Sequence, residues 1–136
     1  MKRRLVILSL CVCLLVSLCS CRIKSDKKIS EKTISDKKAE FEEYLTEAYP
    51  GETFTVEVWQ EYGEDIGAAG LPDYEGYMLH HVVTDSKGNR FKISTFPKGK
   101  HSDDYQQVLD GTIYYNEKGQ HVYFDENGDV LFVSDR

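Results

Sequence analysis

Residues 41–62 read FEEYLTEAYPGETFTVEVWQEY and contain two hydrophobic patterns separated by Pro50-Gly51. Before the break, apolar residues follow the i, i+3, i+4, i+7 spacing of one helix face, at Phe41, Tyr44, Leu45 and Ala48. After the break, apolar and polar residues alternate as in a half-buried strand, with Phe54, Val56 and Val58 on the inward face. A short amphipathic helix cannot bury its apolar face alone, so this stretch predicts a helix packed on a sheet.

The helix is predicted to cover residues 36–49. Ser35 is the expected N-cap, and Asp36 in the first turn is favoured by the helix dipole. Pro50 ends the helix, because the residue before a proline is disfavoured in helical geometry.

The rest of the chain alternates between strand-like runs and turns. Further strands are predicted at residues 74–85, 90–96, 112–116, 120–124 and 129–133, with loops at 63–73 and 97–110 and a helical turn at 105–109. Three turns have Asp or Asn first and Gly fourth, which suits a bulged hairpin, and they lie at residues 85–88, 116–119 and 125–128. The predicted fold class is therefore α+β, with one N-terminal amphipathic helix packed on an antiparallel β-meander sheet.

Charge is distributed unevenly. Residues 22–38 contain seven Lys/Arg and three Asp/Glu, whereas residues 39–136 contain seven Lys/Arg and 20 Asp/Glu, a net charge of −13. Because phosphate contacts need Lys and Arg, no nucleic-acid partner is expected. The basic segment is expected to associate with anionic lipid headgroups, if a membrane lies next to it.

Residues 5–18 form an apolar run that follows three basic residues. The run is shorter than the roughly 20 residues that a spanning helix needs, so it fits a secretory signal. It ends in Leu18-Cys19-Ser20-Cys21, which resembles a bacterial lipobox with Leu at −3, a small residue at −1 and Cys at +1. Cys19 at −2 departs from the usual Ala, Ser or Thr. An ordinary cleaved signal peptide and an uncleaved anchor are the alternatives.

The lipobox resemblance implies cleavage before Cys21 and attachment of lipid to it. The predicted organisation is then a signal peptide at 1–20, a lipidated cysteine and basic flexible tether at 21–38, and an acidic α+β domain at 39–136. The chain would be lipid-anchored on the extracellular face of the cell membrane. Every other cysteine precedes Cys21, so disulfides, thiolate zinc sites and a cysteine nucleophile are not expected.

Catalytic and metal-binding patterns are weak. An envelope enzyme could draw on His101, Asp103 and Asp104, whereas no Gly-x-Ser-x-Gly or P-loop is present. His80 and His81 are adjacent on a strand, so they point to opposite faces and cannot easily share a metal.

Residues 125–129 resemble the start of a calcium loop. The required sixth-position glycine is replaced by Val130, and the twelfth position is Arg136 instead of Glu. The sequence therefore predicts a hairpin turn here, and no metal or cofactor is expected anywhere in the chain.

Aromatic residues are the strongest binding candidates. Large amphipathic rings are favoured in recognition surfaces. The predicted contact residues are therefore Trp59, Tyr74, Tyr105 and Tyr114. The loops at 63–73 and 97–110 would complete that surface. The alternative role is sheet packing, since aromatic residues also favour strands. Strand alternation places Tyr114 and Tyr115 on opposite faces, so one of the two should lie away from the core.

The chain resembles small uncharacterised lipoproteins of Gram-positive bacteria. The matching features are Leu18–Cys21, Phe41-x-x-Tyr44-Leu45, Tyr49-Pro50-Gly51-Glu52-x-Phe54-x-Val56 and Asp103-Asp104-Tyr105. The order of helix and sheet is also similar to the cystatin-like or PepSY-like topology, which implies an interaction or inhibitory module more often than an enzyme. We therefore expect a non-catalytic module that binds an envelope protein or peptide. An envelope enzyme and a structural component of a secretion or conjugation assembly are the alternatives.

Overall fold

The computed structural model describes residues 22–66 and 72–134 of the 136-residue chain. Its elements are β1 (Ile23–Ser25), α1 (Glu31–Ala48), β2 (Phe54–Asp65), β3 (Tyr74–Asp85), β4 (Arg90–Phe91), β5 (Ile93–Phe96), a 3₁₀ turn (Pro97–Gly99), β6 (Lys100–Asp103), α2 (Tyr105–Leu109), β7 (His121–Phe124) and β8 (Val130–Ser134). The fold class is α+β and most strand pairs are antiparallel, as predicted. The signal peptide and Cys21 lie outside the described residues and stay predictions.

The chain divides into two compact units. The first contains residues 22–28 and the described part of 62–78. Within it, β1 pairs in parallel with the start of β3, with Ile23 opposite Tyr74 and Ser25 opposite Gly76. The second unit contains residues 29–61 and 79–134. The parallel pair differs from the prediction of a purely antiparallel meander.

The strands form three sheets instead of one continuous meander. β3 is hydrogen-bonded to β1, β2 and β4, whereas β5–β6 and β7–β8 are separate antiparallel pairs. The predicted strand at 90–96 is interrupted at Lys92, which separates β4 from β5. The predicted strand at 112–116 contributes only the isolated bridge between Tyr115 and His121. β5, β6 and α2 lie between β4 and the C-terminal hairpin in the chain, and among the described residues this hairpin forms no strand pair with the main sheet.

Helix α1 begins at Glu31, earlier than predicted, and its N-cap is Ser30 instead of Ser35. The Ser30 side chain accepts a hydrogen bond from the Thr33 amide at 3.1 Å, which satisfies one of the free donors of the first turn. The Gln60 side chain bonds both backbone groups of Ile29, at 2.8 and 3.1 Å. These contacts order residues that lack apolar periodicity, so the predicted tether at 22–38 contains β1 and the first turns of α1.

The core of the second unit contains the residues that the opening pattern predicts. From α1, Phe41 and Leu45 belong to this core. They pack with residues of the strands and of α2, namely Val56, Val83, Phe91, Ile93 and Tyr105. Phe54 and Val58 pack at the edge of this cluster. The helix ends at Ala48, and the Tyr49 amide donates to the Leu45 carbonyl at 2.9 Å. The predicted inward faces of helix and strand are therefore confirmed, except that Ala48 at the end of the helix is exposed.

The three predicted turns are also confirmed. Gly88, Gly119 and Gly128 have φ of 90°, 69° and 85°, a backbone region that glycine adopts without a steric cost. The side chains of Asp85, Asn116 and Asp125 each accept backbone N–H bonds from residues two and four positions ahead. In the 125–129 turn this side-chain oxygen is used to hold the hairpin.

The position of the N-cap can be tested directly with two serine substitutions. Ser30→Ala should lower the free energy of unfolding by about 1 kcal/mol, because the Thr33 amide loses its acceptor. Ser35→Ala is the matched control and should change it by less than about 0.5 kcal/mol, since Ser35 is exposed within the helix. Urea unfolding followed by circular dichroism measures both. A larger loss for Ser35→Ala would contradict the assigned helix start.

Candidate binding surface

Strand β8 carries four consecutive apolar residues that face solvent. Val130, Leu131, Phe132 and Val133 are 60%, 64%, 51% and 45% exposed. Because successive strand residues point to opposite faces, both faces of this strand are apolar and accessible. Single exposed apolar residues are ordinary, whereas a contiguous exposed group is a candidate binding surface.

β8 is also an edge strand. Among the described residues it pairs with β7 alone, with Val122 opposite Val133 and Tyr123 opposite Phe132. Folded proteins protect such edges with charged residues, proline or a bulge. Residues 130–133 contain neither a charge nor a proline. The register shift next to Tyr123 places Leu131 as the extra residue of a bulge, and Leu131 is the most exposed of the four.

A row of ring contacts, one stacked and two tilted, runs along one face of the hairpin. Phe132 stacks on Tyr123 with ring centroids 4.2 Å apart, Tyr123 contacts His121 at 4.0 Å, and His121 contacts Tyr115 at 5.4 Å. Tyr115 is buried and its hydroxyl donates to Asp104. The row therefore connects the exposed strand to a fixed hydrogen bond in the interior, which limits the conformations that the hairpin can adopt.

Tyr114 extends the apolar surface beside the hairpin. Its ring is 53% exposed and lies 5.8 Å from the ring of Phe124 in an edge-on contact. Tyr115 is buried, so the prediction that one of the two neighbouring tyrosines lies away from the core is confirmed. Tyr114 is the predicted contact residue that the structure places next to β7, the strand that pairs with β8.

The turn that joins β7 to β8 is acidic. It contains Asp125, Glu126 and Asp129, and residues 119–134 contain no Lys or Arg. The Asp129 and Asn127 amides hold the pKa of Asp125 below its ordinary value, so this carboxylate stays charged well into acidic solution. The apolar strand thus begins beside a concentration of negative charge.

The other three predicted contact residues are partly or fully buried. Trp59 is half-buried and stacks on His80 at 5.8 Å, and Tyr74 is half-buried in the first unit. Tyr105 is a correction, since it lies in the core and donates its hydroxyl to buried Asp85 at 2.9 Å. The short helix α2 turns the Tyr105 ring inward, onto Phe91 at 4.5 Å. Buried Tyr105 therefore does not belong to an exposed aromatic surface.

Asp103 and Asp104 serve as acceptors for tyrosine hydroxyls. Asp103 accepts hydrogen bonds from Tyr44 and Tyr49 and from the Tyr105 amide. Burial, reinforced by Asp103, raises the pKa of Tyr44 to about 12 and that of Tyr49 further. Both phenols therefore stay protonated and keep donating at ordinary pH.

The remaining groups of the enzyme hypothesis also have structural partners. Asp104 accepts hydrogen bonds from the Lys92 amide at 2.8 Å and from Tyr115. His101 pairs with Glu40 at 3.0 Å and approaches Thr95 at 3.3 Å. His101, Asp103 and Asp104 thus bond separate partners, and these contacts give each of them a role in holding the fold.

His80 and His81 point to opposite faces, as predicted. His81 packs on Phe41 at 4.7 Å and its Nε2 accepts the Ile93 amide at 3.0 Å. Burial, with the nearby Lys92 charge, lowers the pKa of His81 to about 4, so the ring is neutral at ordinary pH. It borders a shallow apolar depression of about 290 Å³ beside Phe41 and Val58. Within residues 22–66 and 72–134, no group of His, Cys, Asp and Glu is arranged to hold a metal ion.

Two cations of the basic segment have acidic partners. Arg22 pairs with Glu64 and Glu75, and Lys24 pairs with Glu75 at 3.1 Å. Such exposed pairs contribute little to stability, with a median of about 0–1 kcal/mol. They do reduce the positive charge that these two residues offer to a headgroup.

Sequence reasoning missed the exposure of β8. The predicted strand at 129–133 is confirmed as Val130–Ser134, but the prediction places it in one antiparallel meander and does not indicate its exposure. The available signal was the absence of alternation, since Val-Leu-Phe-Val is apolar on both faces. Such a run fits a central, doubly buried strand as well as an exposed one, and its position at an edge depends on the tertiary fold.

Comparisons of the chain with protein-family models, curated proteins and solved structures found no match. Across the part of the chain that the structure describes, no helix combines the length and the hydropathy needed to cross a membrane.

The structural role of Asp103 can be tested by removing its charge. In Asp103→Asn, the amide nitrogen cannot accept a hydrogen bond, so part of the set formed by Tyr44, Tyr49 and the Tyr105 amide is lost. We expect the free energy of unfolding to fall by roughly 2 kcal/mol. Asp36→Asn is the control, because the exposed Asp36 pairs only with neighbouring Lys32 among the contacts described, and it should change stability by less than about 0.5 kcal/mol. Equal urea midpoints for the two variants would contradict this role.

Proposed function

We propose that the chain is a lipid-anchored, non-catalytic protein of the bacterial cell envelope, and that its domain binds a protein or peptide through the β7–β8 hairpin. The observation that carries the proposal is the exposed apolar edge strand, residues 130–133. A partner that covered it would remove from water a surface that folding leaves exposed. Full burial of one Val, Leu or Phe side chain contributes roughly 1.5–3 kcal/mol, and these four are about half exposed.

The contacts that hold the hairpin in place favour a role of its apolar strand in binding. The row of ring contacts runs from Phe132 to Tyr115. It ends where the Tyr115 hydroxyl donates a hydrogen bond to Asp104. A surface that is ordered before binding loses less conformational entropy when a partner arrives. Tyr114 and Phe124 extend the same surface with aromatic rings, which are enriched at protein interfaces.

The anchor rests on the sequence. Leu18, Ser20 and Cys21 match the lipobox pattern, and the apolar run before them is too short to span a membrane. Lipid on Cys21 would hold the domain at the membrane surface, where its net charge of −13 over residues 39–136 repels anionic headgroups. The domain would then be available to a partner in the envelope.

The finer description of the fold belongs to the same proposal. We regard α1 as the N-terminal helix of the domain, lying across an antiparallel sheet in an order similar to the cystatin-like or PepSY-like topology. Its support is the packing of Phe41 and Leu45 against Val56 and Val83. The strand β1, which precedes the helix, is an addition to that order.

Lipid attachment is tested by metabolic labelling with an alkyne-tagged fatty acid. The full-length chain should incorporate the label, and Cys21→Ala should abolish it, because the acceptor thiol is lost. Cys19→Ala is the matched control and should keep the label, since it places a usual lipobox residue at −2. Labelling of Cys21→Ala at the level of the unmodified chain would rule out this anchor.

The binding surface is tested by site-specific photo-crosslinking in the native host cell. Benzoylphenylalanine at Leu131 should give a discrete adduct with an envelope protein, identified by mass spectrometry. Leu109 is the matched control, because it is another exposed leucine, 47% accessible, on helix α2. An adduct at 131 and none at 109 supports the proposal. No adduct at 131, or the same adduct from both positions, contradicts it.

A further inference from the structure

We infer that the partner binds as an added β-strand along the open edge of β8, and that it is an extended peptide segment with alternating apolar side chains and flanking Lys or Arg. This inference rests on the proposed function, because it concerns the same surface. It adds the mode of recognition and the chemistry of the partner.

The backbone of β8 provides the first reason. One side of the strand is hydrogen-bonded to β7, and no other strand pairs with it within residues 22–66 and 72–134. An edge strand presents N–H and C=O groups to an added strand. The bulge at Leu131 interrupts their repeat, so regular pairing would run from Phe132 towards the end of β8. Strand addition uses those groups for affinity and the alternating side chains for selectivity. A compact apolar knob or a helix would leave the backbone groups of the edge without protein partners.

The side chains of β8 provide the second reason. Val130, Leu131, Phe132 and Val133 present apolar groups on both faces, so an incoming strand finds an apolar neighbour whichever face its own apolar residues occupy. β-Branched and aromatic residues are the ones that form favourable cross-strand pairs. The bulge places Leu131 outside the regular pairing with β7, and its side chain is the most exposed of the four, so it is accessible to an added strand.

The negative charge beside β8 provides the third reason, and it favours Lys or Arg at the ends of the peptide. The turn before β8 contains Asp125, Glu126 and Asp129, and residues 119–134 lack Lys and Arg. A strand on the β8 edge would end beside this turn, so a cationic end is attracted and an anionic end is repelled.

The same charge argues against a second copy of the chain as the occupant. Two β8 edges could pair about a twofold axis and form an isologous interface. That arrangement would bring together two domains that each carry −13 over residues 39–136. The negative charge of the domain attracts a cationic peptide, whereas it repels a second copy of the chain.

The test uses the full-length chain in detergent and three synthetic peptides. The parent peptide is Ac-Lys-Val-Thr-Val-Thr-Val-Lys-NH2. The second has the same side chains with every Val and Thr nitrogen methylated, which removes the N–H donors, and the third has Glu in place of both Lys. Fluorescence anisotropy of labelled peptides gives the dissociation constants. We expect methylation to weaken binding at least about tenfold through lost hydrogen bonds, and Glu ends to weaken it about threefold at low salt, less at high salt.

Two protein variants locate the site. Leu131→Lys places a cation on the β8 edge and should weaken the parent peptide about tenfold, since it removes an apolar contact and repels the lysines. Leu109→Lys is the matched control and should bind as the unmodified chain does. Far-UV circular dichroism verifies that both variants are folded.

The outcomes separate this inference from the proposed function. If Leu131 crosslinks an envelope protein while the methylated peptide binds as well as the parent, the surface binds a partner and strand addition is wrong. No binding of the parent peptide, or tighter binding of the Glu peptide, also overturns the inference. If sedimentation shows a dimer that Leu131→Lys dissociates, the occupant of the edge is a second copy and the peptide proposal is wrong.

Discussion

The fold depends on giving acceptors to tyrosine hydroxyls inside an aromatic core. Tyr105 stacks on Phe91 in the middle of the core, and a buried hydroxyl without a partner would cost several kcal/mol. Asp85 accepts that hydroxyl, while Asp103 accepts Tyr44 and Tyr49 and Asp104 accepts Tyr115. No buried side-chain nitrogen or oxygen among the described residues lacks a hydrogen-bond partner. Three aspartates thereby connect α1, the 85–89 turn and the base of the C-terminal hairpin.

The C-terminal hairpin contrasts with this well-satisfied interior. Its base is fixed by buried Tyr115 and Val122, whereas its outer strand exposes four apolar residues and, among the described strands, pairs with β7 alone. Polar groups in the core have hydrogen-bond partners, whereas Val130 to Val133 remain exposed to water. This contrast, together with the acidic turn beside the strand, supports the proposal that a partner with positive charge binds there.

The difference between the sequence-based expectations and the structure follows one physical distinction. Local patterns were read correctly where the signal is local, as in the inward faces of α1 and β2 and the three Asx-to-Gly turns. The predicted start of α1 is an exception, since it is wrong although the Ser30–Thr33 contact is local. The bond from the Ile29 amide to Gln60, which orders the residue before the cap, spans 31 residues. Tyr105 was placed on a surface because its sequence neighbours are polar, although its acceptor, Asp85, lies 20 residues before it. The candidate site was predicted only at Tyr114, because exposure of β8 depends on which strands become neighbours.

The sequence by itself determined the α+β class, the core residues of the first helix and strand, the turn positions and the charge asymmetry, because each depends on residues close together in the chain. It also supplies the lipobox, from which the anchor is proposed. The tertiary structure alone decided that the strands form three sheets, that Asp103 and Asp104 hold tyrosine hydroxyls, and that β8 is an edge. These features depend on long-range pairing, and an apolar strand has the same sequence whether its neighbours cover it or leave it open to a partner.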